Sequence, residues 1–216
     1  MVSIDGFTPC SPAESVSRAQ SLLVHPTNAT TGYRLGTGGY HPGAVDLPWT
    51  TDEHGVFGSD CAGLTCWAYR LARHRPGYNR GNPCGVANYD VEDDLNSNSF
   101  LGDAARGGRH ELFMMPSMGP GQVGDPLPGD VLAYPTFRLP GHRNPSEMLT
   151  FIGHVALVVR VDRWDGSLWG SLDIVQVCGP EGRRPAAIAS TGAHFDAHNA
   201  TWPKPEHRAW LLRPVS

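Results

Sequence analysis

Long apolar runs are missing from this chain. None of its 216 residues falls in an unbroken apolar stretch of 18, the length a membrane-crossing helix needs, so no membrane insertion is expected. A Cys-x-x-Cys pair is missing too. The five cysteines (10, 61, 66, 84 and 178) stand at irregular intervals, which argues against a zinc ribbon, and neither metal nor cofactor is expected. An odd count fits a reducing compartment with at least one free thiol. There is no basic block. Lys and Arg number 17 against 21 Asp and Glu, so the footprint of a nucleic-acid-binding protein is absent. The opening Met1-Val-Ser-Ile-Asp-Gly-Phe7 has neither the basic start nor the apolar run of a secretory signal, so a chain made in a cytoplasm is expected.

What is abundant is loop chemistry. Gly (26) and Pro (19) are frequent, yet below the level that signals disorder, and charged residues are only 18%. The length suits a single domain spanning 1–216. Ser11, Pro12 and Glu14 form a helix start, and Val16, Ala19, Leu22 and Leu23 share one face. Residues 1–31 therefore read as a helical extension. The Asn28-Ala-Thr sequon carries no meaning without secretion. Three of the four positions 36–39 are Gly, but no Lys-Ser/Thr tail follows, so the segment reads as a wall that lets backbones approach, not a phosphate loop.

Acidic residues 90–98 lack the turn glycine and closing Glu of a calcium loop and read as a solvated helix start. Segments 75–126 and 135–150 read as loop insertions. Strands are expected at 131–134, 151–161, 172–178 and 209–213, with Asp165-Gly166 as a hairpin turn and 181–206 mostly loop. Helices first and strands after them argue α+β.

One stretch carries a chemical signal. Asp60 stands where a helix N-cap stands, and Leu64, Trp67, Ala68 and Leu71 recur at spacings of three and four up to the stop at Pro76-Gly77. Cys61 then falls in the first turn, where free N–H groups and the helix dipole favour a thiolate. A buried, inert thiol is the competing reading. His154 opens the strongest strand signal of the chain, and Gln176 is a polar residue inside Ile-Val-Gln-Val. A cysteine at a helix start, an imidazole on a strand and a polar group to orient the ring are the parts of thiol catalysis, with a thiolate–imidazolium pair expected at rest.

Four segments resemble the NlpC-type papain-like cysteine peptidases of bacterial cell walls, relatives of the CHAP amidases. They are Tyr33-Arg-Leu-Gly-Thr-Gly-Gly39, Ser59-Asp-Cys-Ala-Gly-Leu64, Leu127-Pro-Gly-Asp-Val-Leu132 and Gly153-His-Val-Ala-Leu-Val158. The resemblance runs from about 32 to 180. It implies a papain-like fold, with N-terminal helices packed on a central antiparallel sheet and the nucleophile at a helix start. It also implies Cys61 as nucleophile, His154 as base, Gln176 as the third catalytic group, and Tyr33, Asp60 and Ala62 at the substrate. Ala62 departs from the family's usual Ser, and Cys61 and His154 lie 93 positions apart, an unusually long interval. The implied activity is hydrolysis of an amide bond in peptidoglycan, with the stem peptide as substrate. With no export signal seen, delivery to the wall through a virion, lysis or injection is expected, which a phage lysin, a phage tail-associated hydrolase with other virion proteins as partners, or an injected antibacterial effector would suit. Two alternatives stay open: a non-catalytic virion component on the same fold, and an acyl-transferring or peptide-processing enzyme.

Overall fold

The structure is a computed structural model. It describes residues 10–40, 46–51, 54–71, 73, 100–101, 113–114, 124–141, 143–144, 146–202, 204 and 207–214. The acidic segment 90–98 and most of 75–126 lie outside these. In chain order the elements are α1 (Pro12–Leu23), α2 (Pro26–Thr30), β1 (Gly32–Tyr33), β2 (Thr50–Thr51), β3 (Phe57–Ser59) and α3 (Cys61–Ala68). There follow β4 (Phe113–Met114), β5 (Val131–Tyr134), β6 (Phe137–Pro140), β7 (Met148–Phe151), β8 (His154–Val161), a 3-10 turn at Trp169–Ser171, β9 (Leu172–Val177), β10 (Ala187–Thr191), α4 (Ala193–Thr201) and β11 (Trp210–Pro214). The fold is α+β.

α1 starts where its residues dictate: Ser11 Oγ accepts from Glu14 N at 3.2 Å, and Pro12 takes the position whose N–H has no helical partner. α2 lies outside the expected elements. Within it Asn28 is almost fully buried and its amide pairs with both backbone groups of Ala187, so the sequon residue staples α2 to β10.

The six-stranded sheet runs β10–β9–β8–β5–β11–β4, every neighbouring pair antiparallel. Alternation along its strands builds two cores. Val131, Ala133, Val155, Leu157, Val175 and Val177 meet α1 and α3 on one face. Leu132, Ala156, Val158, Ile174 and Leu211 meet Phe195 of α4 on the other. Phe100 and Leu101, which are helical, fill the first core. A smaller sheet, β1–β3–β2, leads into α3.

Four expectations are corrected. Residues 135–150 are not simply loop: β6 and β7 pair from Phe137↔Phe151 to Pro140↔Met148. The expected 151–161 strand is therefore divided, because Phe151 belongs to this hairpin while β8 begins at His154, and Thr136 Oγ1 accepts Gly153 N at 2.8 Å between them. The connection from β8 to β9 is wider than a two-residue hairpin, since Asp165 Oδ1 accepts from both Ser167 N and Leu168 N before the 3-10 turn. Residues 181–206 contain β10 and α4 rather than loop alone.

α3 is also shorter than its apolar spacing predicts. It stops at Ala68, eight residues before Pro76. Arg70 takes a left-handed φ of 55°, with Arg70 N bonded to Trp67 O and Leu71 N to Cys66 O. That pair of bonds is a Schellman stop, and it satisfies carbonyls that an abrupt helix end would leave open. Among the described residues no helix is long and apolar enough to cross a membrane.

Candidate active site

The start of α3 is clamped from several sides. Asp60, the N-cap, is 2% exposed, and its carboxylate accepts from Gly63 N (2.7 Å) and Gly36 N (2.8 Å) and pairs with both Arg73 terminal nitrogens (2.7 and 2.8 Å). One side chain thus caps the helix, ties down the glycine-rich loop and holds a cation. Arg73, which the sequence places at the helix's C-terminal end, folds back to its N-terminus and also donates to Thr37 O. The glycines make this approach possible. A Cβ on Gly63 would lie 2.7 Å from Ser59 Oγ and would collide with the Thr37 carbonyl, and Gly38 adopts a φ of 90°. The 36–39 segment is a backbone wall against α3.

Cys61 occupies the first helical position, where the backbone N–H has no intrahelical partner. Its side chain is 8% exposed, and its helix packs on β8, where the backbone N–H of Val155, the residue after His154, is near enough to favour the thiolate. The helix start therefore abuts the first residues of β8. Burial, then the Asp60 carboxylate, push the thiol up to about 12, against the pull of the Val155 N–H, Arg73 and the Ala62 N–H. Desolvation outweighs the helix-start effect.

His154 is 8% exposed. Its Nε2 meets Gln176 Oε1 at 2.8 Å, and Gln176 Nε2 donates to Ser190 Oγ at 2.6 Å on β10. With the amide oxygen as acceptor, His154 Nε2 carries the hydrogen and Nδ1 keeps its lone pair. Burial lowers this imidazole to about 4, outweighing the opposing effects of Gln176 and Asp60. The resting pair is thus thiol and neutral imidazole. The expected thiolate–imidazolium pair is corrected, and burial of both groups is the reason.

Tyr33 lies on β1, which a loop after β9 holds in place: Tyr33 N donates to Arg183 O and Gly182 N to Tyr33 O, both at 2.9 Å. Its phenol is raised first by burial and then by Cys61 and Asp60. Ala62 is 3% exposed and packs in the α1–α3 core, so it presents almost no surface to a ligand. The structure thus brings Cys61, His154, Gln176, Tyr33 and Asp60 to one end of the sheet. Ala62 shares the location but faces inward.

Sequence reasoning missed Ser190, Tyr134 and α4. Tyr134 is the register partner of His154, with ring centroids 5.9 Å apart, and its hydroxyl is raised by burial and then by Cys61. α4 sets His194 against His154 at 5.1 Å and stacks His198 on Tyr134 at 3.9 Å. A signal was present, because Phe195, His198 and Trp202 recur at spacings of three and four.

A cleft of about 580 Å³ lies elsewhere, between Leu23–Ala29 and Arg184–Ala189, and contains none of these residues. Among the described residues, no group of three or more His, Cys, Asp and Glu side chains is placed to hold a metal ion. Comparison with models of protein families, with curated proteins and with solved structures finds no match to this chain.

Proposed function

We propose that the chain is a cysteine peptidase or amidase of papain-like type that hydrolyses an amide bond in the stem peptide of peptidoglycan. The observation that carries this reading is the His154 Nε2–Gln176 Oε1 bond of 2.8 Å, on the strand against which the helix of Cys61 packs. A polar side chain orients an imidazole, and the strand that carries it packs against the helix that a thiol begins. The substrate class rests on the resemblance of the four segments around Tyr33, Cys61, Asp130 and His154 to the NlpC-type peptidases.

Chemistry follows from the protonation states. His154 Nδ1 takes the Cys61 proton as the sulfur attacks the amide carbonyl carbon. The Cys61 N–H, free at the first helical position, and a neighbouring donor stabilise the oxyanion. The carbon–nitrogen bond breaks, and His154 passes its proton to the leaving amine. Water then attacks the thioester while His154 accepts a proton, and the carboxylic acid leaves as Cys61 regains its hydrogen. Gln176 keeps the ring in the tautomer that allows both transfers. Phage origin, with delivery to the wall by a virion or by lysis, belongs to the same proposal.

A zymogram on purified cell walls tests it. Wild type should clear the wall and Cys61→Ala should not, and mass spectrometry of the released muropeptides identifies the bond. A wild type that clears nothing, with Cys61 no faster than Cys66 towards iodoacetamide, would make the chain a non-catalytic virion component. Fast Cys61 labelling without clearing would point to acyl transfer or the processing of another peptide.

A further inference from the structure

The six-stranded sheet ends in two unlike edges. β4 is two residues long, too short to template another strand. β10, Ala187-Ile-Ala-Ser-Thr191, runs for five residues and pairs with β9 without a bulge. It carries no charged residue and no proline, so the usual devices that blunt an edge are absent from it. Its backbone groups point alternately to its two sides. Gly192 N donates to Leu172 O of β9, so the even-numbered positions face the sheet. The odd-numbered ones face away. Ala187 shows this directly, because its N–H and C=O both bond the Asn28 amide at 2.9 Å. Asn28 does at Ala187 what the backbone of a seventh strand would do. Ala189 and Thr191, both exposed, turn the same outward pair of groups to no partner among the described residues.

Ala189 borders the cleft of about 580 Å³, a volume that suits a bound ligand. The opposite wall is Leu23–Ala29, on which Val24 is 84% exposed. Arg184 also lines the cleft, exposed and without an ion-pair partner among the described residues. His25 Nδ1 accepts from Thr27 N at 3.2 Å, which leaves its Nε2 to donate. No described Asp or Glu lines the cleft.

We propose that this cleft docks an extended acidic peptide segment of a partner protein, which joins β10 as a strand through Ala189 and Thr191 and sets a carboxylate against Arg184. Main-chain pairing supplies affinity, Val24 an apolar contact, and the guanidinium the preference for an acidic partner. A second copy of the chain would bring another Arg184 and His25 to this edge in place of a carboxylate, and like charges oppose that pairing. The site uses none of Cys61, His154 or Gln176, so the inference stands apart from the peptidase reading.

The test is fluorescence anisotropy of the full chain with a labelled peptide of alternating valine and threonine that carries a central glutamate. Arg184→Glu should weaken binding about tenfold. Ala189→Pro should weaken it as much, because it removes an N–H that no bond in the fold uses, on an edge where proline is tolerated. Two further peptides need only the wild-type protein and so do not depend on how the variants fold. One with glutamine in place of glutamate should bind about tenfold more weakly. One N-methylated throughout, which cannot pair as a strand, should not bind. Hydrogen exchange at the Ala189 and Thr191 amides should slow when the glutamate peptide is bound. No binding of that peptide to wild type overturns the inference. So does equal binding of the glutamine peptide, or full binding by both variants. A wild-type dimer in sedimentation that Ala189→Pro dissolves overturns it as well, since a second copy would then occupy the edge.

Discussion

Gln176 determines which nitrogen of His154 is basic, and it does so with a neutral amide. A carboxylate at the same place would favour imidazolium. Gln176→Glu is therefore expected to raise the His154 pKa from its burial-depressed position near 4 by a unit or more. The acid limb of the pH–rate profile for Cys61 alkylation should move up with it, and an unmoved limb would show that Gln176 does not govern the ring. Asp60 works differently, through the number of donors it gathers. Asp60→Asn removes the carboxylate charge that faces the largely buried Arg73 guanidinium. Breaking one half of a buried pair costs about 3–5 kcal/mol, so urea denaturation should show a loss of roughly 3 kcal/mol. Cys61 itself illustrates why residue identity and residue state are separate questions. Position at a helix start is readable from Asp60-Cys61; the degree of burial that overrides the dipole is not.

At the scale of elements, α3 is set by its two ends. Its N-terminus is built from side chains, Asp60 above all, whereas its C-terminus is a backbone device that asks Arg70 to sit at a φ of 55°. For a residue with a Cβ that conformation costs roughly 1–2 kcal/mol. Glycine there should stabilise the protein by about 1 kcal/mol, less what is lost with the half-exposed Arg70–Glu14 pair. Thermal melting of Arg70→Gly checks this, and a lower Tm would mean that the ion pair outweighs the strain. β8 and β9 owe their places to continuous apolar faces, and those were legible. β10 and α4 were not. β10 is only five residues long with two of its positions exposed, and α4 mixes four polar types with Phe195. Their stability comes from what they cover, and coverage is a property of the partner element as much as of the segment.

For the whole molecule, the buried titratable groups define a pH window. His154 is held neutral when folded, so its folded pKa lies below the unfolded value of 6.5. The unfolded chain binds more protons between these values, and stability must fall as pH drops from about 6.5 towards 4. The loss from His154 amounts to about 3 kcal/mol; His194, lowered likewise to about 4, and His198, shifted the same way, add to it, each reduced by the screening that partial exposure allows. On the alkaline side Cys61 keeps its proton when folded but loses it near 9.0 when unfolded, so stability falls again above that value. Urea midpoints measured from pH 4 to 10 should show a plateau between about 6.5 and 9, and a maximum near pH 5 would contradict it.

The residues alone were enough to establish the α+β class, the capped start of α1, the N-cap at Asp60, the placement of Cys61 in a first turn, and His154 at a strand mouth. Each is encoded within a few consecutive positions, as a cap, a period or a turn. Folding in three dimensions settled the remainder: that Arg73 returns to Asp60, that Ser190 and Gln176 orient His154, that thiol and imidazole rest uncharged, and that His194 stands beside them. Those properties depend on burial and on contacts between segments remote in sequence, and no local pattern specifies how much water the assembled chain excludes.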